Sequence, residues 1–415
     1  MSLHLLFMSM PQPGHVFPNL AVIEELVREG HRVSFVTGAS VADAVGAAGA
    51  TAVSYDSLFD RPEQLEGGTE GADMALVAHA DGLVMLATAE SRLTDDRPVA
   101  VLYDTMTAQV GRVLAEKWGL PSIQLNPMFA SNEKFNMMRA MFTQEESDAP
   151  VDNTESVAAA MPPEMQQWFA KTTAMLVDNG IDTPVGEWIA RVPDFGVVYL
   201  PQAFQYAGEL FDERFAFVGP CISERAFLGS WQAPDTELPV VLVSLGTVVN
   251  DRPEFFKTVV EAFTGAPFHV VITVGKGVDP AVLGPLPENI EVHAFVPHLA
   301  VLEHASVCVT HGGMGGVLEA LTQAVPMVVV PQTYASAAIV HRVRQLGLAQ
   351  VLDAADFTPE SLRKAVEETA ADDTIRKSVQ DMQGHIQQAG GARRAVREIE
   401  NYLRRVLDPT GAARP

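Results

Sequence analysis

Cysteine is nearly absent: the 415 residues include two, Cys221 and Cys308. Neither a disulfide framework nor a Cys-based metal site can be argued from so few, and the usage suits a reducing cytoplasm. Cys308 lies in an apolar run and reads as core. Basic residues are also scarce, 28 against 52 acidic ones, for a formal net charge of −24. That balance argues against nucleic acid or an anionic membrane as a main partner, because both reward Lys/Arg clusters. It leaves room for an anionic ligand held by backbone N–H groups at a helix start. No uninterrupted apolar run is long enough to span a bilayer, so stable membrane insertion is not expected. The apolar start, Ser2–Met10, has no basic lead and runs into Pro11-Gln12-Pro13-Gly14. It reads as a buried first strand and not as a signal peptide.

Hydrophobic residues make up 47% of the chain, which is normal for a packed globular protein, and the length points to two domains. Leu3–Met10 is a near-continuous apolar run, as in a parallel strand covered on both faces. After the turn Pro11–Pro18, an amphipathic helix is expected over Asn19–Glu29 and a strand over His31–Thr37. A second strand–helix–strand unit spans Val99–Tyr103, Thr107–Trp118 and Ser122–Leu125. The irregular acidic stretches Phe59–Asp73 and Gln144–Ser156 read as mobile surface loops. From about Pro201 the periodicity loosens, and residues 206–238 are taken as the linker. A second α/β series follows, with strands at Val240–Val243, His269–Val274, Glu291–Val296, Val307–Thr310 and Met327–Val330 and a helix at Pro253–Phe263. The expected division is 1–205, 206–238, 239–390, and a C-terminal helix and tail at 391–415 that can cross back to the first domain. The fold class is α/β, with two parallel-sheet, Rossmann-like domains facing each other across a cleft.

The strongest constellation is His311–Glu319, with glycines at 312, 313, 315 and 316. It follows a buried strand and opens a helix. Glycines let a ligand approach the backbone, while the helix start supplies free N–H donors and a positive dipole end, which suits a pyrophosphate. His311 can add a donor, and Glu319 can accept from ribose hydroxyls. The plain alternative is a tight turn whose glycines serve packing. A Rossmann dinucleotide site would want an acid ending the next strand; Met327–Val330 runs instead into Pro331-Gln332. A second turn, Ser244–Thr247, can meet the distal phosphate through Ser244, Gly246 and Thr247. His15, after the first strand, and Asp104, after another, occupy matching strand ends. A His beside a buried carboxylate is a general base of fixed tautomer and raised basicity. The alternative is a loop His that caps a helix or meets solvent. Met128, Phe129, Phe135, Met137, Met138, Met141 and Phe142 form an apolar stripe, either core or a soft pocket for an irregular ligand.

These residues together resemble the family 1 glycosyltransferases of the GT-B fold, in the bacterial macrolide-type branch that decorates antibiotics. The resemblance runs through Gly14–Asn19, Tyr103-Asp104, Phe217–Pro220, Val243–Thr247, Phe295–His298, His311–Glu319 and Pro326–Gln332. It implies an inverting, metal-independent transfer with no cofactor, the donor being a dTDP- or UDP-sugar. His15 would be the base and Asp104 its orienter. Gly313, Gly315, Gly316 and Val317 would join His311 around the diphosphate, Glu319 would bind the ribose, and Phe295 and Val296 would face the nucleobase. The acceptor would be a lipophilic small molecule such as a polyketide or macrolide, received by Met128, Phe129, Phe135, Met138 and Phe142. A homodimer is compatible, although the sequence does not identify the faces that would pair. The chain departs from the family pattern at His298, where Gln is usual. It departs again after Pro331-Gln332, where an acid, Gln and Asn are replaced by Ala335, Ser336 and Ile339. Losing hydroxyl-reading groups points to a deoxysugar, most simply on dTDP. Two other readings stand beside this one: a catalytically silent helper protein, and a UDP-glucose-dependent enzyme that inactivates antibiotics.

Overall fold

The computed structural model describes residues 2–61, 72–137, 163–223, 230–246, 250–275, 277–333 and 336–407. The chain forms two compact units, Met1–Ser223 with Ala389–Pro415, and Glu224–Gln388. The sheet of the first unit has seven strands: β1 (His4–Met8), β2 (Arg32–Gly38), β3 (Thr51–Tyr55), β4 (Ala100–Asp104), β5 (Ser122–Asn126), β6 (Gly196–Val198) and β7 (Phe215–Phe217), in the order β3-β2-β1-β4-β5-β6-β7. Each pairing is parallel. Successive side chains of β1 enter different cores, Leu5 and Phe7 on one face and Leu6 and Met8 on the other. This alternation explains why β1 reads as continuously apolar: both faces of a parallel sheet are covered.

The second unit has six strands: β8 (Val240–Ser244), β9 (His269–Thr273), β10 (Ile290–His293), β11 (Ala305–Thr310), β12 (Met327–Val329) and β13 (Ala349–Val351), ordered β10-β9-β8-β11-β12-β13. They too are parallel. Val241, Val243, Ile272, Val309 and Val328 share one core with Phe256 and Phe263 of the Pro253–Phe263 helix.

Two sequence expectations change. The first helix spans Pro13–Arg28 and so starts six residues earlier than its amphipathic stretch suggested. Proline is preorganised for the first helical position, where its missing N–H costs nothing. Pro18 lies close enough to the helix start to be carried. Second, residues 206–223, taken as part of the linker, belong to the first unit and supply its edge strand β7. A three-residue strand flanked by turns gives too short a period to detect. Of the acidic loops, 62–71 and 144–156 fall outside the described residues.

The helix Gly391–Val406 packs on the first unit. Ala395, Val396, Ile399, Tyr402 and Leu403 enter the core of Leu5 and Phe7, and Tyr402 stacks on Phe195 with ring centroids 4.9 Å apart. His31 and Glu400 add a 3.1 Å ion-pair contact. Ile399 is fully buried. Truncating such a residue costs the lost transfer energy plus a cavity, about 2–5 kcal/mol. Ile399→Ala is therefore expected to lower the stability of the first unit by that amount in chemical denaturation; a change under about 0.5 kcal/mol, the scale of a neutral surface substitution, would contradict this packing.

Candidate functional site

In the first unit, β1 and β4 are neighbours whose connections lead away on opposite sides of the sheet order, with Met8 opposite Tyr103. In open parallel sheets ligands bind at such switch points, beyond the carboxyl ends of the strands. His15 is the third residue of the helix after β1, and Asp104 ends β4. His15 Nδ1 lies 2.9 Å from Asp104 Oδ1 and 3.0 Å from Oδ2. The Asp104 side chain is fully buried, and its Oδ1 also accepts the Met106 N–H at 2.8 Å. Burial pushes the His15 pKa down, but the Asp104 charge and hydrogen bond outweigh it, and the net shift is upward. Asp104 holds Nδ1, which leaves Nε2 as the reactive nitrogen. The His15 side chain is 17% exposed.

The apolar stripe resolves differently. Phe129 is buried, stacked on Phe204 at 5.7 Å and set edge-on to Tyr206 at 4.9 Å. Phe135 stacks on Tyr206 at 6.1 Å, and Phe211 continues the cluster toward Phe215 and Phe217. Phe129 thus packs into an aromatic cluster whose far end, Phe211, covers the phenylalanines of the edge strand β7. Met128 is half-buried. Met138 and Phe142 lie outside the described residues, as does Met141.

The second unit repeats the switch-point geometry between β8 and β11, with Ser244 opposite Thr310. The helix Met314–Thr322 opens after β11, with Gly313 as its extended N-cap and no side chain capping it. The Val317 N–H donates to the Gly313 carbonyl at 3.0 Å, so the first-turn amides before it have no helical partner and can face a ligand. The His311 ring sits between two glycines. A Cβ on Gly246 would lie 2.6 Å from its Cε1, and one on Gly313 2.4 Å from its Nε2. Gly312 has φ +86°, and a Cβ there would meet Val340 at 2.7 Å. Gly315 differs, since a Cβ would meet nothing within 4 Å. Burial drives the His311 pKa down to about 4, so the ring is neutral at pH 7, and its buried Nδ1 has no hydrogen-bond partner among the described residues.

Glu319 is buried on the same helix as Val317. His298 opens a short helix and faces it, Nδ1 to Oε2 at 3.4 Å, while His298 Nε2 meets Thr273 Oγ1 at 3.0 Å. Phe295 is exposed and Val296 buried. Ser244 Oγ accepts the Gly246 N–H at 3.1 Å, which fixes the turn after β8. Ser336 is buried and donates to the Thr333 carbonyl at 3.2 Å, so its hydroxyl is already engaged. Thr247 and Ala335 lie outside the described residues. The burial of Ile339 agrees with the loss of a polar group there.

Two residues of this site escaped sequence reasoning. Thr273 anchors His298, as above. Asn250 donates to the Gly246 carbonyl at 3.2 Å and is packed so closely that a Cβ on Gly275 would fall 2.0 Å from its Nδ2. The paired glycines at 275 and 277 were the available signal. Neither cysteine takes part: both thiols are buried, and burial, helped by the Glu319 charge, pushes Cys308 up to about 12. Among the described residues no helix is long and apolar enough to cross a membrane.

Comparison with known proteins gives this geometry its context. The family model for UDP-glucoronosyl and UDP-glucosyl transferase matches residues 228–387. The chain is similar to demethyllactenocin mycarosyltransferase of Streptomyces fradiae, with 36% identity over 414 residues, covering 96% of this chain and 86% of the relative. It is 34% identical over 407 residues to NDP-glycosyltransferase YjiC of Bacillus subtilis, covering 98% and 99%. The crystal structure of CalG4, the calicheamicin glycosyltransferase, superimposes with a TM-score of 0.84 at 39% identity, covering 98% of this chain and 100% of that one. The chain belongs to the UDP-glucoronosyl and UDP-glucosyl transferase family, has the GT-B fold of two Rossmann-like domains, and is a nucleotide-sugar-dependent glycosyltransferase.

Proposed function

We propose that the enzyme inverts the anomeric centre in one displacement, without a metal, using His15 as base, and that it glycosylates a lipophilic natural product in the cytoplasm. The observation that carries this reading is the His15–Asp104 pair, 2.9 Å apart, with a fully buried carboxylate. His15 Nε2 takes the proton of the acceptor hydroxyl. The freed oxygen bonds to the anomeric carbon as that carbon's bond to the diphosphate oxygen breaks. Asp104 holds the tautomer and balances the imidazolium that forms. The leaving diphosphate is received by the Gly313–Val317 amides and the helix dipole, with a donor from neutral His311. Glu319, beside His298, takes the ribose hydroxyls, and Phe295 offers a face for the base. Ala335, the engaged Ser336 and the buried Ile339 support a deoxysugar donor on dTDP.

His15→Ala is expected to lower kcat roughly 10²- to 10⁴-fold, the usual contribution of a positioned base, while dTDP affinity holds. The base works unprotonated, so kcat/KM should rise with pH through the His15 pKa. Because that pKa is raised, the acid limb should lie above pH 6.5. Asp104→Asn removes the opposing charge and should move the limb to lower pH. Normal turnover by His15→Ala would eliminate the assignment.

At Gly315 a methyl group meets no protein atom within 4 Å, and the residue lies in the turn proposed to hold the diphosphate. Gly315→Ala should leave thermal stability equal or higher, since Ala favours a helix by up to ~1 kcal/mol over Gly. Its dTDP affinity should fall about tenfold, or ~1.4 kcal/mol, by calorimetric titration. Unchanged affinity would remove the diphosphate from this position. Donor choice is read by competing dTDP-deoxysugars against UDP-glucose on one aglycone, with the deoxysugars expected to win. A clear preference for UDP-glucose would instead support the antibiotic-inactivating reading.

A further inference from the structure

The turn that carries His15 is closed by the Gln12 carbonyl, which accepts the His15 and Val16 N–H groups at 2.9 Å, but its start has few other ties. Gln12, the residue capping the helix, makes no side-chain capping bond, and the first turn has no acid to meet the dipole. Pro18, inside the helix, has no N–H to give the Gly14 carbonyl. A side-chain link ties the neighbouring carbonyl, that of His15. Asn19 Nδ2 donates to the His15 carbonyl at 2.8 Å, and Tyr199 Oη donates to Asn19 Oδ1 at 2.7 Å. Asn19 and Tyr199 are both 1% exposed. Tyr199 is rigidly placed at the end of β6, where its N–H donates to the Asn126 carbonyl at 2.9 Å. Burial, with smaller contributions from Cys221 and Asp104, raises the phenol's pKa well above its ordinary value and keeps it a donor.

We infer that Tyr199 and Asn19 are positioning residues for the transfer reaction: they tie the His15 backbone to the end of β6 and so hold the imidazole in register with Asp104. The inference rests on His15 being the base. It accounts for a buried Tyr–Asn pair that the core does not need, since two apolar side chains would fill that space without two polar groups to satisfy. The link pulls on the backbone of His15, while Asp104 pulls on the ring from β4. The two contacts fix the imidazole from opposite ends.

The test uses the full-length enzyme and compares Tyr199→Phe, Asn19→Ala and the double variant with wild type and with His15→Ala. Tyr199→Phe removes one oxygen and is the mildest probe. A misplaced base loses geometry without losing donor contacts, so kcat should fall roughly ten- to a hundred-fold with KM and Kd for dTDP-sugar unchanged. The acid limb of the pH profile should move to lower pH, because a loosened imidazole feels Asp104 less. The double variant should be no worse than Asn19→Ala alone, since the two residues act as one chain. Global destabilisation would not produce the limb shift. Tyr199→Phe with wild-type kcat and an unmoved limb overturns the inference, as does a loss that only tracks the unfolded fraction. If His15→Ala keeps turnover, the base assignment falls and this inference with it. If His15→Ala is inactive while Tyr199→Phe is normal, this inference alone falls.

Discussion

An all-parallel sheet cannot be joined by tight hairpins. Each strand must be followed by a return across one face, so in both units the carboxyl ends of the strands gather along one edge. Where successive returns leave toward opposite sides, the loops part and open a recess. In the first unit that point lies between β1 and β4, in the second between β8 and β11. The candidate residues sit there: His15 and Asp104 follow one pair of strands, and Ser244, Gly246 and the His311–Glu319 turn follow the other. The sheet connectivity sets where chemistry can occur, and the side chains decide which chemistry.

The electrostatics are arranged without cations. The chain carries −24, and the proposed diphosphate seat has no Lys or Arg among the described residues named for it. Helix amides and a neutral histidine provide the donors. Neutrality of His311 follows from its burial between glycines, which excludes water from the ring and makes a proton expensive. His15 is buried as well, yet its shift runs the other way, because Asp104 faces it at hydrogen-bond distance. Two histidines of one chain thus shift in opposite directions. A facing carboxylate raises one, and burial with no charged group contributing among the described residues lowers the other.

Much of this could be read from sequence, for definable reasons. Strands buried on both faces announce themselves as apolar runs, so β1, β8 and β11 were visible. The glycine-rich turn was visible because a strand, glycines and a helix must follow in that order to form an anion site. The pairing of His15 with Asp104 was an inference across 89 positions, and only adjacency of β1 and β4 could establish it. The start of the first helix was obscured because Pro18 reads as a breaker, although the helix runs through it at the cost of the bond to the Gly14 carbonyl. The aromatic cluster around Phe129 was not legible, since its partners Phe204 and Tyr206 lie in an irregular stretch with no periodicity to detect. The roles of Thr273, Asn250, Asn19 and Tyr199 stayed hidden because a single polar residue carries no pattern of its own. Their meaning lies entirely in what they face.

The glycines of the turn show how packing and function share a motif. Their number invites the view that all of them exceed packing needs. Yet Gly246 and Gly313 are required to admit the His311 ring, and Gly312 is required by its φ of +86° and by Val340. Gly315 is the residue of this group with neither a positive φ nor a neighbour within 4 Å of a Cβ. A helix gains stability by replacing such a glycine with alanine, so nothing in the fold favours glycine at that point. The proposed diphosphate, approaching closer than a methyl would permit, would account for it. On that proposal the other glycines build the wall of the seat by placing His311, and Gly315 leaves the seat open.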